Sequence, residues 1–355
     1  MGQRADAAST TSPRPDAFGV AVWSSPSWRA KALAWIDDAL AGTGLKRSGE
    51  PEQPHLRPWA TVLKVPTANG PVWFKAAAPA TAFEVRLYEL LAALDSTAIL
   101  TPIATDPDRG WMILPDGGTP LGARLEGEAL LDGLEAALPR YAELQRQLAP
   151  QAGTLVAFGL ADMRPAMMSQ RLDEALSTVA PLLESIGTEK DRDDFAILRR
   201  REPVIRDWCR ALLDLPGGAS IDHNDLHPWN ILAGPSGRAA EARFYDWGDS
   251  VVSHPFASLL VALGSVRDWV LKSGPEDPRI DRLRDAYLEP FGDLAPHKVL
   301  VETVETACRV GKIARVLTWH RAVQAMKGGH VEGDWRRAPI DALLALDDET
   351  YLGRV

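Results

Sequence analysis

The sequence predicts an α+β protein built as two lobes, a small β-rich N-lobe followed by a larger, mainly helical C-lobe. Three observations predict this. Residues 59–65 (WATVLKV) and 72–76 (VWFKA) are rich in β-branched and aromatic side chains and flank an Asn69-Gly70 pair, which reads as a β-hairpin. Phe83, Leu87, Leu90, Leu91 and Leu94 fall at i, i+4, i+7, i+8 and i+11, the apolar stripe of one amphipathic helix. Beyond the Gly-Pro-rich stretch PDGGTP (115–120), long helical patterns take over.

In chain order, residues 27–41 read as a first helix, then come the hairpin, the helix over 81–94, and a short strand in GWMILP (110–115). Helices are expected over 125–149, 163–187 and 187–214. Two strands, NILA (230–233) and ARFY (242–245), flank a Gly-Pro-Ser-Gly turn region, and helices dominate again from Pro255. The expected division is a disordered lead-in over 1–20, the N-lobe over 21–115 and the C-lobe over 116–355. Residues 1–19 are rich in Ala, Ser, Thr and Pro and lack the apolar core of a signal peptide. MGQRAD begins like a myristoylation signal but has Asp6 where Ser or Thr is wanted. No internal repeat is present.

With 355 residues, 46% of them apolar, the chain can bury a sizeable core. The net charge of −9 argues against nucleic acid as a partner, because phosphate backbones select basic surfaces. No run of about 18 apolar residues marks a membrane span, so no membrane partner is expected. Cys209 and Cys308 are too few for a disulfide framework, which makes a cytoplasmic location the default. Oligomeric state is left open.

The octapeptide HNDLHPWN (223–230) carries the most chemistry. His223 and His227 have the i, i+4 spacing of two zinc ligands on a helix, but Pro228 pushes His227 out of helical backbone. A polar turn with its histidines on backbone carbonyls is the plainer alternative. The hairpin favours a third reading. Strands leaving Asn230 and arriving at Asp246 bring an amide oxygen and a carboxylate to one end of one ribbon. Those hard oxygen donors suit Mg²⁺ bound to phosphate oxygens. Asp225 would face the space before the metal and could accept a hydroxyl proton.

His-x-Asp-x-His-x-x-Asn (223–230), followed by Asp-Trp-Gly-Asp (246–249), resembles the aminoglycoside phosphotransferase and choline kinase family of protein-kinase-like small-molecule kinases. The resemblance covers roughly residues 45–320 and implies a protein-kinase-like fold with ATP and Mg²⁺ between the lobes. It implies that Asp225 is the base, Asn230 and Asp246 hold Mg²⁺, and a small-molecule hydroxyl is the acceptor. It also asks for a strand lysine, matched by Lys75, and a helix glutamate as its partner. Glu84 lies beside the apolar stripe, where an unpaired carboxylate is costly; Glu89 lies on the solvent side, so Glu84 is chosen. His223 is expected to brace the loop. His227 either approaches the γ-phosphate or packs, with packing favoured. Adenine is expected on the backbone of Ile113, Leu114 and Pro115, with Met112 or Ile113 as apolar cover.

Three departures stand out. Residues 50–69 contain no glycine, so no Gly-rich phosphate loop exists. Ser258 stands where a structural aspartate is common, and no Ala-Pro-Glu-like activation segment follows Asp246. Asp249 is a candidate second metal or loop-ordering residue. Arg315 and Trp319 share a helix face and could line the cleft, although a core tryptophan with a solvated arginine is the simpler reading. The open alternatives are an antibiotic kinase, a metabolic kinase of a sugar, choline-like or amino-alcohol substrate, and a non-catalytic nucleotide-binding module.

Overall fold

The computed structural model describes residues 18–274, 276–326, 335–348 and 350–352. Most of the expected lead-in therefore lies outside the described residues. The N-terminal half of the architecture runs α1 (Val20–Trp23), α2 (Pro26–Ala41), β1 (Glu52–Leu56), β2 (Ala60–Val65), β3 (Val72–Ala77), α3 (Phe83–Asp95), β4 (Ala104–Asp106) and β5 (Trp111–Pro115). The strands form one antiparallel sheet in the order β1-β2-β3-β5-β4. Alternation sends Leu63, Val65, Phe74, Ala76 and Ile113 to one face, where Trp28, Ile36 and Leu40 of α2 cover them. Phe74, Trp111, Trp28 and Trp35 pack there with ring centroids 5.4–6.4 Å apart. The opposite face carries Val62, Trp73, Lys75 and Leu114 toward a cleft.

Past β5 come α4 (Leu121–Arg124), α5 (Gly127–Leu148), α6 (Ala152–Ala157), β6 (Ala161–Asp162), α7 (Met168–Ile186) and α8 (Glu189–Ala211). Then follow β7 (Ser220–Asp222), β8 (Ile231–Leu232), β9 (Arg243–Phe244), β10 (Val251–Ser253), α9 (Leu259–Ser265), α10 (Pro278–Leu288), α11 (His297–Ala325) and α12 (Ala338–Leu344). The large core is built on α5, α7, α10 and α11, and it extends to Leu87, Tyr88 and Leu91 of α3. Gln145 on α5 ties the small sheet to this core, donating to the carbonyls of Ile221 at 2.7 Å and Pro255 at 2.9 Å.

The expected long elements are present within a few residues of their predicted ends. The α+β class and the mostly helical remainder are as expected. The differences have local causes. Leu94, placed in the α3 stripe, is 39% exposed and lies in the last turn of the helix. β6, β7 and β10 form a three-stranded sheet that the sequence does not announce, since two or three residues are too few to show a period. β1 escapes sequence reasoning because Pro54 interrupts it, which an edge strand tolerates.

One buried histidine makes part of the C-terminal core pH-sensitive. His254 accepts from the Phe256 amide at 3.2 Å through Nδ1 and donates to the Pro216 carbonyl at 3.0 Å through Nε2. Gly217 (φ +125°) permits this packing, since a Cβ there would lie 2.7 Å from the imidazole. Burial pushes the His254 pKa down to about 4. The unfolded chain therefore binds the extra proton below about pH 6.5, and folding stability falls as pH drops from there toward the folded value. His254→Asn keeps a side-chain cap without the titration. Its stability deficit against the parent, measured by urea unfolding, should shrink by about 1–2 kcal/mol between about pH 7 and pH 5. A deficit independent of pH contradicts the neutral assignment.

Candidate active site

The cleft encloses a cavity of about 630 Å³ between the β1–β5 sheet and the helical part. Three remote segments converge on it: the end of β3, the first turn of α3, and the loops around β8 and β9.

Strand alternation turns Lys75 into the cleft, where its Nζ lies 2.8 Å from the Glu84 carboxylate and 2.7 Å from Asp246 Oδ1. Glu84 is fully buried and Asp246 is 52% exposed, so the lysine joins an inner carboxylate to one that faces the cavity. Burial pushes Glu84 up to about 7 against the pull of Lys75. Burial also opposes the Lys75 charge, but Asp246 and Glu84 outweigh it and its pKa is raised. Lys75 holds Asp246 down at about 2. Glu89 points elsewhere and accepts from Thr105 Oγ1 at 2.6 Å.

The segment 223–230 is a loop ending in a short 3-10 turn (Pro228–Asn230), as Pro228 requires. His223 is buried on the Trp247 ring at 4.6 Å and hydrogen-bonds through Nε2 to the Tyr245 carbonyl at 3.0 Å. Burial lowers its pKa to about 4, so it braces the loop as a neutral donor. Asn224 and Asp246 both adopt left-handed backbone, φ 58° and 62°. Such conformations in non-glycine residues persist where the surroundings enforce them. Asn224 is held on all sides: its amide nitrogen donates to Asp222 at 2.8 Å, its side chain to Thr318 Oγ1 at 2.8 Å, and its carbonyl accepts from Arg315.

Asp225 follows that turn and projects into the cavity. Arg315 Nη1 lies 3.7 Å from its Oδ1, and Asn230 Nδ2 and His227 Nε2 lie 3.3 and 3.5 Å from its Oδ2. His227 also packs between Trp229 and Trp269, so the favoured packing role describes its geometry, with a contact to Asp225 added. Gly122 makes room beneath the loop, since a Cβ there would lie 2.7 Å from the Trp229 ring. β8 and β9 pair Ile231 with Phe244, which places Asn230 and Asp246 at the same end of the ribbon. The Asn230 side-chain nitrogen is engaged by Asp225, leaving Oδ1 as its free ligating atom. One open carboxylate and one amide oxygen are hard donors that fit Mg²⁺. They do not suit zinc, and no group of three or more His, Cys, Asp or Glu side chains placed to hold a metal occurs among the described residues.

Two expectations are corrected. Met112 and Ile113 do not cover the cavity: Ile113 faces the α2 core, and Met112 is buried under α3. Leu114 and Pro115 line it instead, with Val62 and Leu232. Arg315 and Trp319 both line the cavity rather than splitting into solvated arginine and core tryptophan.

Sequence reasoning missed Asp222. It is buried, its carboxyl is pushed up to about 6 by that burial, and it accepts from Ser258 Oγ at 2.7 Å as well as from the Asn224 amide. Ser258, where an aspartate is common, thus serves as a hydroxyl donor to a neighbouring carboxylate, and only the adjacency of Asp222 to His223 hinted at this residue. The glycine-less stretch was equally unreadable. The β1–β2 turn closes with Arg57 N donating to Ala60 O at 2.9 Å, and His55, Arg57 and Trp59 roof the cavity in place of bare backbone.

A two-lobed kinase-like fold with this lysine–glutamate pair and acidic cleft defines the small-molecule kinase class. Residues 56–299 match the model of the phosphotransferase enzyme family, and the chain belongs to that family. Among solved structures, a Plasmodium vivax ethanolamine kinase superposes with a TM-score of 0.60 at 13% identity, covering 91% of this chain and 89% of its own. Choline kinase LicA from Streptococcus pneumoniae gives 0.56 at 13% identity, covering 88% and 98%. Macrolide 2'-phosphotransferase MphH from Brachybacterium faecium gives 0.50 at 17%, covering 88% and 98%. At such identities the likeness is one of fold. No curated protein matches the chain by sequence.

Proposed function

We propose that the protein transfers the γ-phosphate of ATP, with Mg²⁺, to a hydroxyl of a small molecule, an aminoglycoside-phosphotransferase-like reaction. The observation that carries this reading is the convergence of Lys75, Glu84 and Asp246 within 2.8 Å contacts on the cavity that Asp225 also lines. The chain divides functionally near Pro115, with residues 21–115 covering the nucleotide and 116–355 supplying the catalytic loop and acceptor site. Adenine lies against the backbone of 114–115, under Leu114 and Val62. Lys75 holds the α- and β-phosphates and Glu84 orients it. Asn230 Oδ1 and the Asp246 carboxylate would hold Mg²⁺, which supplies positive charge against the phosphate oxygens. Asp225 aligns the acceptor hydroxyl and takes its proton, with Arg315 and Asn230 fixing the carboxylate. Cytoplasmic ATP and two buried free thiols, Cys209 and Cys308, fit a reducing compartment. No helix among the described residues is long and apolar enough to cross a membrane.

The test is phosphoryl transfer itself. Protein, Mg-ATP and a panel of aminoglycosides, sugars and amino alcohols are followed by phosphorus NMR for a new phosphomonoester. Nucleotide binding without transfer to any hydroxyl would favour the non-catalytic module.

The lysine partner is tested separately. Glu84→Gln should lower kcat/KM about ten-fold or more, since it removes a buried charge-assisted contact worth roughly 1.5–3 kcal/mol. Glu89→Gln should leave it within about two-fold, as expected for an exposed side chain away from the cleft. Equal losses, or a larger loss at Glu89, contradict the assignment.

A further inference from the structure

The part of the cavity beyond Asp225 has a chemistry of its own. Trp319 and Trp335 stack with ring centroids 5.4 Å apart and planes 19° apart, and Trp59 from the β1–β2 turn meets Trp335 edge-on at 6.4 Å. All three line the cavity, as do Thr318 and Ala322. Trp59 is anchored from behind, its carbonyl accepting from the Ala78 amide at 2.8 Å. The wall joins the reacting end through Arg315, whose guanidinium lies 5.8 Å from the Trp319 ring centroid and 3.7 Å from Asp225.

A cation approaching Asp225 meets the protein's own cations first: Glu84 and Asp246 share Lys75 at 2.8 and 2.7 Å, Asp225 faces Arg315 at 3.7 Å, and Asp249 faces Arg321 at 3.5 Å. The aromatic wall itself disfavours one kind of cationic acceptor. A quaternary ammonium needs open aromatic faces, because the ring face is the negative side of the quadrupole. Trp319 already has one indole stacked on it and a guanidinium over it, so the cation position is filled from within the chain. What the wall still offers is flat apolar surface beside a hydroxyl-accepting carboxylate.

We propose that this end of the cleft takes an uncharged hydroxyl compound with a flat or apolar body, held by Trp59, Trp319 and Trp335 while Asp225 meets its hydroxyl. The proposal rests on the phosphotransferase reading above and names its acceptor class. Isothermal titration of the full chain with phenyl β-D-glucopyranoside, glucose, choline and kanamycin, each in the presence of saturating MgADP, tests it. The phenyl glucoside should bind at least about ten-fold more tightly than the other three, about 1.4 kcal/mol. Trp335→Ala should remove that preference while MgADP binding, unchanged, reports an intact fold; Trp335→Phe should keep most of it. Tighter binding of choline or kanamycin, four equal affinities, or no heat with the glucoside overturns the proposal. MgADP titrated alone separates the two claims. Heat with MgADP but none with the glucoside contradicts only the acceptor class. No heat with MgADP contradicts the phosphotransferase reading, and this inference with it.

Discussion

Asp225→Asn should lower kcat by roughly 10² to 10⁴, the usual contribution of a positioned general base, with nucleotide affinity unchanged. The amide is near-isosteric with the carboxylate, so the loop retains its shape: Asn224 stays pinned by Asp222 and Thr318, contacts that do not involve the Asp225 charge. What is lost is the acceptor for the hydroxyl proton and the anion that Arg315 and Asn230 hold in place. The measurement is a full kinetic profile of both proteins with MgADP titrations beside it. A variant of parental kcat contradicts the role of Asp225. A zinc enzyme would behave differently again, losing bound metal on this substitution and showing no response to ATP.

Asp246→Asn should produce the opposite pattern, with the loss appearing in nucleotide binding. Asp246 is the cavity-facing carboxylate of the Lys75 bridge, held ionised down to about 2 by that lysine. A depressed carboxylate pKa means the charge is present at all pH values near neutrality and disappears only as pH falls through about 2. The amide removes that charge permanently. Charge-assisted contacts are worth roughly 1.5–3 kcal/mol, so MgADP affinity should fall about 10- to 100-fold. In the parent a chelator should weaken nucleotide binding; in the variant the residual binding should be nearly indifferent to it. Nucleotide binding by the parent that a chelator leaves undiminished counts against the metal assignment.

The two substitutions separate because the residues occupy different links of the site. Asp225 hangs from a strained loop turn, whereas Asp246 closes a charge bridge that begins in the opposite lobe. Much of this is legible in the residues alone. HNDLHPWN exposes itself by packing Asp225 and Asn230 beside a proline that forbids a helix, and the hairpin to Asp246 needs only turn residues to be inferred. Glu84 can be chosen over Glu89 because helical periodicity puts one carboxylate against the core, and the structure buries Glu84 completely. Periodicity fails where an element has two buried faces. In β5 both Met112 and Ile113 are interior, and nothing local says that only Leu114 and Pro115 reach the cavity. Asp222 is illegible for another reason. Its work is to accept from Asn224 N and Ser258 Oγ, and the latter partner lies 36 residues away. Likewise Trp335 meets Trp59 from the far end of the sequence, a contact no local pattern encodes.

The most direct test of the central claim is a crystal structure of the protein with Mg²⁺ and a non-hydrolysable ATP analogue. The expected result is adenine against the backbone of 114–115, Lys75 on the α- and β-phosphates, the metal on Asn230 Oδ1 and the Asp246 carboxylate, and Asp225 facing the γ-phosphate across the space an acceptor hydroxyl would fill. A nucleotide bound outside this cleft, or a metal ligated by His223 and His227 instead, would contradict it.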